Sequence, residues 1–165
     1  MTAPLLVRVD NRLVHGQVLE AWVPELKLAH LWVADDEAAG DALARMAMGL
    51  AMGPDLQLEI FTLAQAAEKL RGAAPSLPER TMLLLREVQS AVALTRLGVP
   101  IARLNLGNVH FRPGRKQAAP TLYLDAAELE SLESLARAGT QIEWRAVPAD
   151  APLSLATLRA RHDQL

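Results

Sequence analysis

Short apolar runs alternate along this chain with longer stretches of helical spacing. The runs predict strands at Leu5–Val9, His30–Ala34, Leu56–Phe61, Thr81–Leu85, Ile101–Leu106, Thr121–Leu124 and Gln141–Val147. Met82-Leu83-Leu84-Leu85 contains no polar residue, as in strands covered on both faces. Between the runs, Leu129, Leu132, Leu135 and Ala136 recur at helical intervals, with Glu128, Glu130, Glu133 and Arg137 mostly on the other side. Asp125-Ala126-Ala127-Glu128 and Thr62-Leu63-Ala64-Gln65 read as capping boxes that open helices. Gly98 and Gly139 stand where helices should stop.

Strand, helix, strand in this order means βαβ units with right-handed crossovers. The predicted fold is α/β: one domain over residues 1–165, built on an open, mostly parallel sheet of about seven strands with helices on both faces. Ala73–Pro78 reads as a loop inside that domain, not a boundary. Ligand sites in such sheets gather beyond the carboxyl ends of strands, where strand order reverses. Three loops therefore carry the chemical interest: Asp10–His15, Asp35-Asp36 and Gly107–Gln117.

Composition removes several classes. The chain has 165 residues, 51% apolar and 22% charged, which suits a globular domain and not a disordered one. Its 17 basic and 19 acidic side chains leave a net charge of −2, so no basic excess suggests a nucleic-acid partner. The absence of cysteine excludes disulfides, thiolate metal sites and cysteine nucleophiles. No dinucleotide or P-loop glycine pattern occurs, and no hydrolase serine elbow. His15, His30, His110 and His162 show no metal-binding spacing, so a zinc hydrolase is poorly supported, as are a dinucleotide enzyme and a P-loop NTPase. Arg8 and Asp10 follow the first apolar run too closely for a signal peptide, and Arg45 interrupts the apolar stretch Leu43–Met52, itself far short of the ~20 residues of a membrane span. A cytoplasmic protein is expected.

One segment stands apart: Arg8-Val9-Asp10-Asn11-Arg12-Leu13-Val14-His15-Gly16-Gln17-Val18. A strand ends at Val9, a short polar loop follows, and an apolar helix begins near His15 and runs through Val18, Leu19 and Trp22. An imidazole thus sits at a helix start beside two guanidinium groups and a carboxylate. Free amides and the helix dipole favour an anion there. Arginine forks match phosphate oxygens, and a neutral imidazole is nucleophilic enough to hold a phosphoryl group. Taken singly, though, a histidine at a helix start is also an ordinary cap, and Arg8 with Asp10 an ordinary ion pair.

The segment resembles R-[IV]-D-D-R-L-[IV]-H-G-Q-V, the signature of the IIB subunits of the mannose/fructose/sorbose family in the bacterial phosphoenolpyruvate-dependent sugar phosphotransferase system. The resemblance continues through Val33-Ala34-Asp35-Asp36, through Asn105-Leu106-Gly107-Asn108-Val109-His110-Phe111 with Gly114-Arg115-Lys116-Gln117, and through Arg145-Ala146-Val147-Pro148. It implies a protein-N(π)-phosphohistidine–sugar phosphotransferase subunit. His15 would take a phosphoryl group from a phosphohistidine IIA domain and pass it to a sugar held by membrane IIC/IID partners. Arg8 and Arg12 would clamp the phosphoryl oxygens, and Asp10 would shape the loop. Gly16, Gln17, Gly107 and Asn108 would line the phosphate, with the Gly107–Phe111 loop facing His15. No cofactor is implied, and a homodimer is, in keeping with the apolar surplus in a predicted helix over Ala38–Met52.

Two residues depart from the pattern. Asn11 replaces an aspartate and removes a negative charge. Asn108 replaces the second glycine of a pair, a place that asks for a residue tolerant of positive φ. They leave open a regulatory phosphoprotein of the same fold, uncoupled from transport; a binding module that is never phosphorylated is the third reading. At the rim, His110 is either a phosphate or partner contact or a solvent-facing loop residue. Arg112, Arg115 and Lys116 either steer an acidic IIA surface or are simply solvated. Asp35, a candidate rim or partner residue, and Asp36 read either as a metal pair or, more often for acidic residues after a strand, as helix-capping residues, with Asp36 the cap. Met46, Met48 and Met52 suggest core packing or a subunit interface, and Trp22, Trp32 and Trp144 core or interface anchors.

Overall fold

Strand β1 (Leu6–Val9) lies at the centre of a seven-stranded sheet and leads directly into the His15 loop. The computed structural model describes residues 6–71 and 77–164; the predicted strand start at Leu5 and loop residues Ala73, Ala74, Pro75 and Ser76 lie outside them. After the loop, a π-helical turn (Val18–Trp22) runs on into α1 (Val23–Leu26). Pro24 has no N–H for the Glu20 carbonyl, and the turn before it widens so that the Val23 N–H donates to the Val18 carbonyl.

The chain continues through β2 (His30–Ala34), α2 (Asp36–Gly40), α3 (Ala42–Leu50), β3 (Gln57–Phe61), α4 (Leu63–Leu70), β4 (Thr81–Leu85) and α5 (Val88–Arg96). Then come β5 (Arg103–Leu106), β6 (Lys116–Ala119), β7 (Leu122–Leu124), α6 (Ala126–Arg137), β8 (Gln141–Trp144), β9 (Leu153–Ser154) and α7 (Leu155–Asp163). Sheet order is β3-β2-β4-β1-β5-β8-β9, parallel except at β9. From β1 the chain crosses to β2 and out to β3 on one side, returns to β4 beside β1, and from β5 continues outward on the other side. The carboxyl ends of β4, β1 and β5 therefore flank the switch point.

Alternation along the strands divides the core between two faces. Val7, Val9, Trp32, Ala34, Leu83, Leu85, Leu104 and Leu106 pack against apolar residues of α4, α5, α6 and α7. Leu31, Val33, Met82 and Leu84 pack beneath Val18, Trp22 and Ala38. Both predicted capping boxes form, Thr62 with Gln65 and Asp125 with Glu128.

Three expectations are corrected. Thr121–Leu124 does not join the main sheet: β7 pairs antiparallel with β6 in a separate hairpin, and the short antiparallel β9 supplies the seventh strand. The last predicted strand stops at Trp144, not Val147, because the Ala146 and Val147 amides turn to the Asp150 carboxylate (both 3.1 Å). The predicted Ala38–Met52 helix is two helices. Asp41 leaves helical geometry and caps the second, accepting from the Leu43 and Ala44 amides.

Candidate functional site

The Asp10 N–H donates to the Leu85 carbonyl at 2.8 Å, extending the β1–β4 ladder by one residue. The chain then folds back on its own side chain, with Asp10 Oδ1 accepting from the Arg12 amide (3.0 Å) and the Asp10 carbonyl from the Leu13 amide (3.0 Å). Leu13 takes the left-handed conformation this turn requires (φ 56°) and is held there by burial of its side chain. Asp10 is fully buried, and its Oδ2 accepts three hydrogen bonds: from His15 Nε2 (2.7 Å), Asn108 Nδ2 (2.8 Å) and Arg8 Nη2 (3.1 Å). Burial pushes the carboxyl up. The His15 hydrogen bond, the Arg8 charge and the Asn108 hydrogen bond together outweigh it and hold Asp10 below the usual aspartate value.

His15 stands at the helix start, its carbonyl accepting from the Val18 and Leu19 amides. Its side chain is 11% exposed. A carboxylate only accepts, so the hydrogen facing Asp10 belongs to Nε2 and the lone pair to Nδ1. Nδ1 is buried and has no hydrogen-bond partner. Gly16 and Gln17 follow in the first helical turn, where amide hydrogens have no carbonyl to meet. The exposed Arg12 guanidinium makes no hydrogen bond or ion pair among the described residues. A nucleophilic nitrogen, unpaired amides and a free guanidinium suit an electrophile bearing oxyanions, as a phosphoryl group does.

Arg8 does not share in that clamp. Its guanidinium is fully buried and donates to Asn105 Oδ1 (2.5 Å), Asp10 Oδ2 and the carbonyls of Arg145 (3.0 Å) and Ala146 (2.9 Å), beneath the Trp22 ring at 5.1 Å. Position on β1 explains this: Val7 and Val9 face one core, so Arg8 points to the opposite face under the helix. Burial lowers its pKa, and the Asp10 carboxylate offsets part of the effect.

Gly107 is corrected likewise. Its N–H is taken by the Val9 carbonyl (2.9 Å), and a Cβ there would lie 2.3 Å from Arg8 Cζ. It makes room for Arg8 and has no amide left for phosphate. Asn108 needs no positive φ and reaches the site with its side chain. Asn11 ties three loops together: its amide donates to the Asn108 carbonyl (2.8 Å), its Nδ2 to the Arg86 carbonyl (2.9 Å), and its Oδ1 accepts from the His110 amide.

The rim divides. His110, Arg112 and Lys116 are exposed, Arg112 lying 3.8 Å from Glu87. Arg115 is buried against Glu128 in a two-bond pair (2.8 and 3.0 Å) and donates to the His110 carbonyl (2.8 Å), so it pins the loop instead of steering a partner. Asp35, not Asp36, caps α2, accepting from the Ala38 amide; Asp36 accepts from the Leu63 amide. Asp35 also holds Arg86 at 2.8 Å, a rim cation that sequence reasoning missed. Its signal was position at the carboxyl end of β4, but only the strand order puts that end beside β1. No group of three or more His, Asp or Glu able to hold a metal occurs among the described residues.

Comparison with known proteins places this geometry. The family model of the PTS system sorbose subfamily IIB component matches residues 5–164. The N-acetylgalactosamine-specific phosphotransferase enzyme IIB component 1 of Escherichia coli (strain K12) is 33% identical over 153 residues, 91% of this chain and 96% of the relative. The PTS system mannose-specific EIIAB component of the same strain is 28% identical over 96% of this chain but only 49% of its own length. The solved IIBSor domain of the sorbose permease from Klebsiella pneumoniae has the same fold, with a TM-score of 0.84 at 26% identity over 97% of this chain and 98% of that one. The chain belongs to the sorbose subfamily of IIB components of the sugar phosphotransferase system.

Proposed function

We propose that this IIB component carries a phosphoryl group on His15 Nδ1, taking it from a phosphohistidine on a IIA domain and passing it to a sugar held by membrane IIC/IID partners. The observation that carries the reading is the 2.7 Å contact between His15 Nε2 and buried Asp10, which leaves the Nδ1 lone pair as the nucleophile at a helix start. The EIIAB relative, whose name joins an A unit to the B unit, supports IIA as the donor.

In the first transfer the Nδ1 lone pair attacks phosphorus, and the bond between phosphorus and the donor's nitrogen breaks. Nε2 keeps its hydrogen and goes on donating it to Asp10 throughout, so the imidazolium character that develops on the ring is stabilised by a carboxylate already in place. The Arg12 guanidinium and the amides of Gly16 and Gln17 receive the phosphoryl oxygens. Arg8 acts at one remove, holding Asp10 charged and oriented. In the second transfer a sugar hydroxyl oxygen attacks phosphorus, the bond between phosphorus and Nδ1 breaks so that the ring recovers its lone pair, and the hydroxyl proton leaves to a base on the partner side or to water. Neither step requires this chain to bind a metal or cofactor. The reaction runs from the cytoplasmic side. No helix among the described residues is long and apolar enough to cross a membrane.

Incubation with phosphoenolpyruvate, the general phosphotransferase proteins and a matching IIA domain tests the reading. The expected product carries one acid-labile phosphate, and His15→Ala carries none. Label retained by His15→Ala would overturn the assignment. Phosphorylation of the wild type without sugar phosphorylation in membranes containing IIC/IID would favour the regulatory reading.

A further inference from the structure

We propose that Asn108 is a positioning residue that fixes the orientation of the Gln17 carboxamide, so that Gln17 presents its NH2 group to the phosphoryl oxygens. The inference rests on the reading of His15 as the phosphoryl acceptor.

The argument is one of donors and acceptors. Asp10 Oδ2 belongs to a buried carboxylate and can only accept, so the atom Asn108 turns toward it at 2.8 Å is its Nδ2. The same Nδ2 lies 2.8 Å from the Gln17 side chain. It has two hydrogens, one for each neighbour. The second requires an acceptor, so Gln17 turns its Oε1 toward Asn108 and its Nε2 away. A negative charge on Asp10 thus orients an amide two links distant. Asn108 is only 6% exposed, which shelters both bonds from competing water.

The other end of the Gln17 carboxamide is unclaimed among the described residues. Gln17 follows His15 by two residues, in the first turn of the helix, and its Nε2 makes no hydrogen bond among the described residues. Arg12 supplies charge to a phosphoryl group at this place, and Gln17 supplies a neutral donor with a fixed direction. Phosphorylation at Nδ1 leaves the Nε2–H bond to Asp10 in place, so the relay holds its orientation before and after transfer. Where the similar family signature has glycine, this chain has a side chain that links the β5 loop to the helix start.

A double-mutant cycle on the rate of phosphoryl transfer from a phosphorylated IIA domain tests the relay, using Asn108→Ala, Gln17→Ala and the double variant in the full chain. Each single change is expected to slow transfer roughly two- to tenfold, the range of one net hydrogen bond. The double variant is expected to be no slower than the slower single variant, because both remove the same contact. Rates that multiply in the double variant, or single variants as fast as wild type, would overturn the proposal. Nuclear magnetic resonance of the unaltered protein supplies a readout independent of variant folding. The Gln17 side-chain NH2 signals should shift on phosphorylation, and signals that stay in place count against the proposal. His15→Ala separates the two levels. Label on that variant defeats the acceptor assignment, whereas no label combined with an additive cycle defeats only the relay.

Discussion

Asp10 is the residue on which this site turns, since one of its oxygens serves the His15 imidazole, a buried arginine and the β5 loop at once. Asp10→Asn keeps the shape and removes the charge, leaving Arg8 fully buried without its counter-ion. Unfolding in urea should show a loss of about 3–5 kcal/mol, the usual cost of breaking a buried pair from one side. The pH dependence follows from the direction of the shift. Because Asp10 is held below its ordinary value in the folded state, the unfolded chain binds the proton more readily. Its contribution is complete above the ordinary carboxylate value of about 4 and is lost as pH falls through the lower folded value. The melting temperature of wild type should therefore drop across that acid window, and that of Asp10→Asn should drop less. Arg12 differs in kind, being exposed and unpaired among the described residues. Arg12→Lys keeps the charge and loses the fork, and should slow transfer in a rapid-quench assay. Arg12→Ala should slow it further, by about 2–4 kcal/mol in barrier, or tens to hundreds of fold, with the melting temperature unchanged.

Elements were legible in the sequence wherever one local rule decided them. His30–Ala34 and Thr81–Leu85 form strands with the predicted ends, and both capping boxes close as their residues demand. What escaped depends on partners distant along the chain. Nothing local distinguishes β7 from a strand of the main sheet; its pairing with β6 decides that. The same limit governed the site. His15 and Arg12 stand out in the sequence because the loop motif is contiguous. Arg8 was assigned to phosphate because its charge is legible and its direction is not, until Val7 and Val9 are seen to face the other core. Glu128 shows how a local rule can conceal a distant role. It completes the α6 capping box with Asp125 and also neutralises Arg115, which pins the His110 loop. Glu128→Gln preserves an acceptor for the cap and strands the Arg115 charge. It should cost about 3–5 kcal/mol in urea unfolding, against about 1 kcal/mol for Asp125→Ala, which removes only a cap. Equal losses would mean that the cap is the larger role.

At the scale of the whole molecule, the His15 loop and an exposed apolar surface on α3 share one face of the sheet but follow different strands. The His15 loop lies at the carboxyl end of the central strand, between the ends of β4 and β5. Helix α3 contributes no buried residue to the core and exposes Leu43, Met46 and Leu50, 63–81% accessible, at the i, i+3 and i+7 positions of one face. Met48 and Met52 are partly buried against the second core, so the segment is anchored along one side and open along the other. Such a stripe fits self-association by a two-fold axis, in which one face meets its own copy. We therefore expect the chain to sediment at twice its mass at micromolar concentration. The paired change Leu43→Glu and Leu50→Glu should yield monomers, because it places like charges on both sides of a self-complementary contact. Since α3 follows β2 on the far side of β4 from β1, those monomers should still accept phosphate at His15 at the wild-type rate. A wild-type chain that sediments as a monomer would refute the dimer. A charged variant that stays dimeric would move the interface elsewhere, and one that loses phosphorylation together with dimerisation would tie the α3 face to transfer itself.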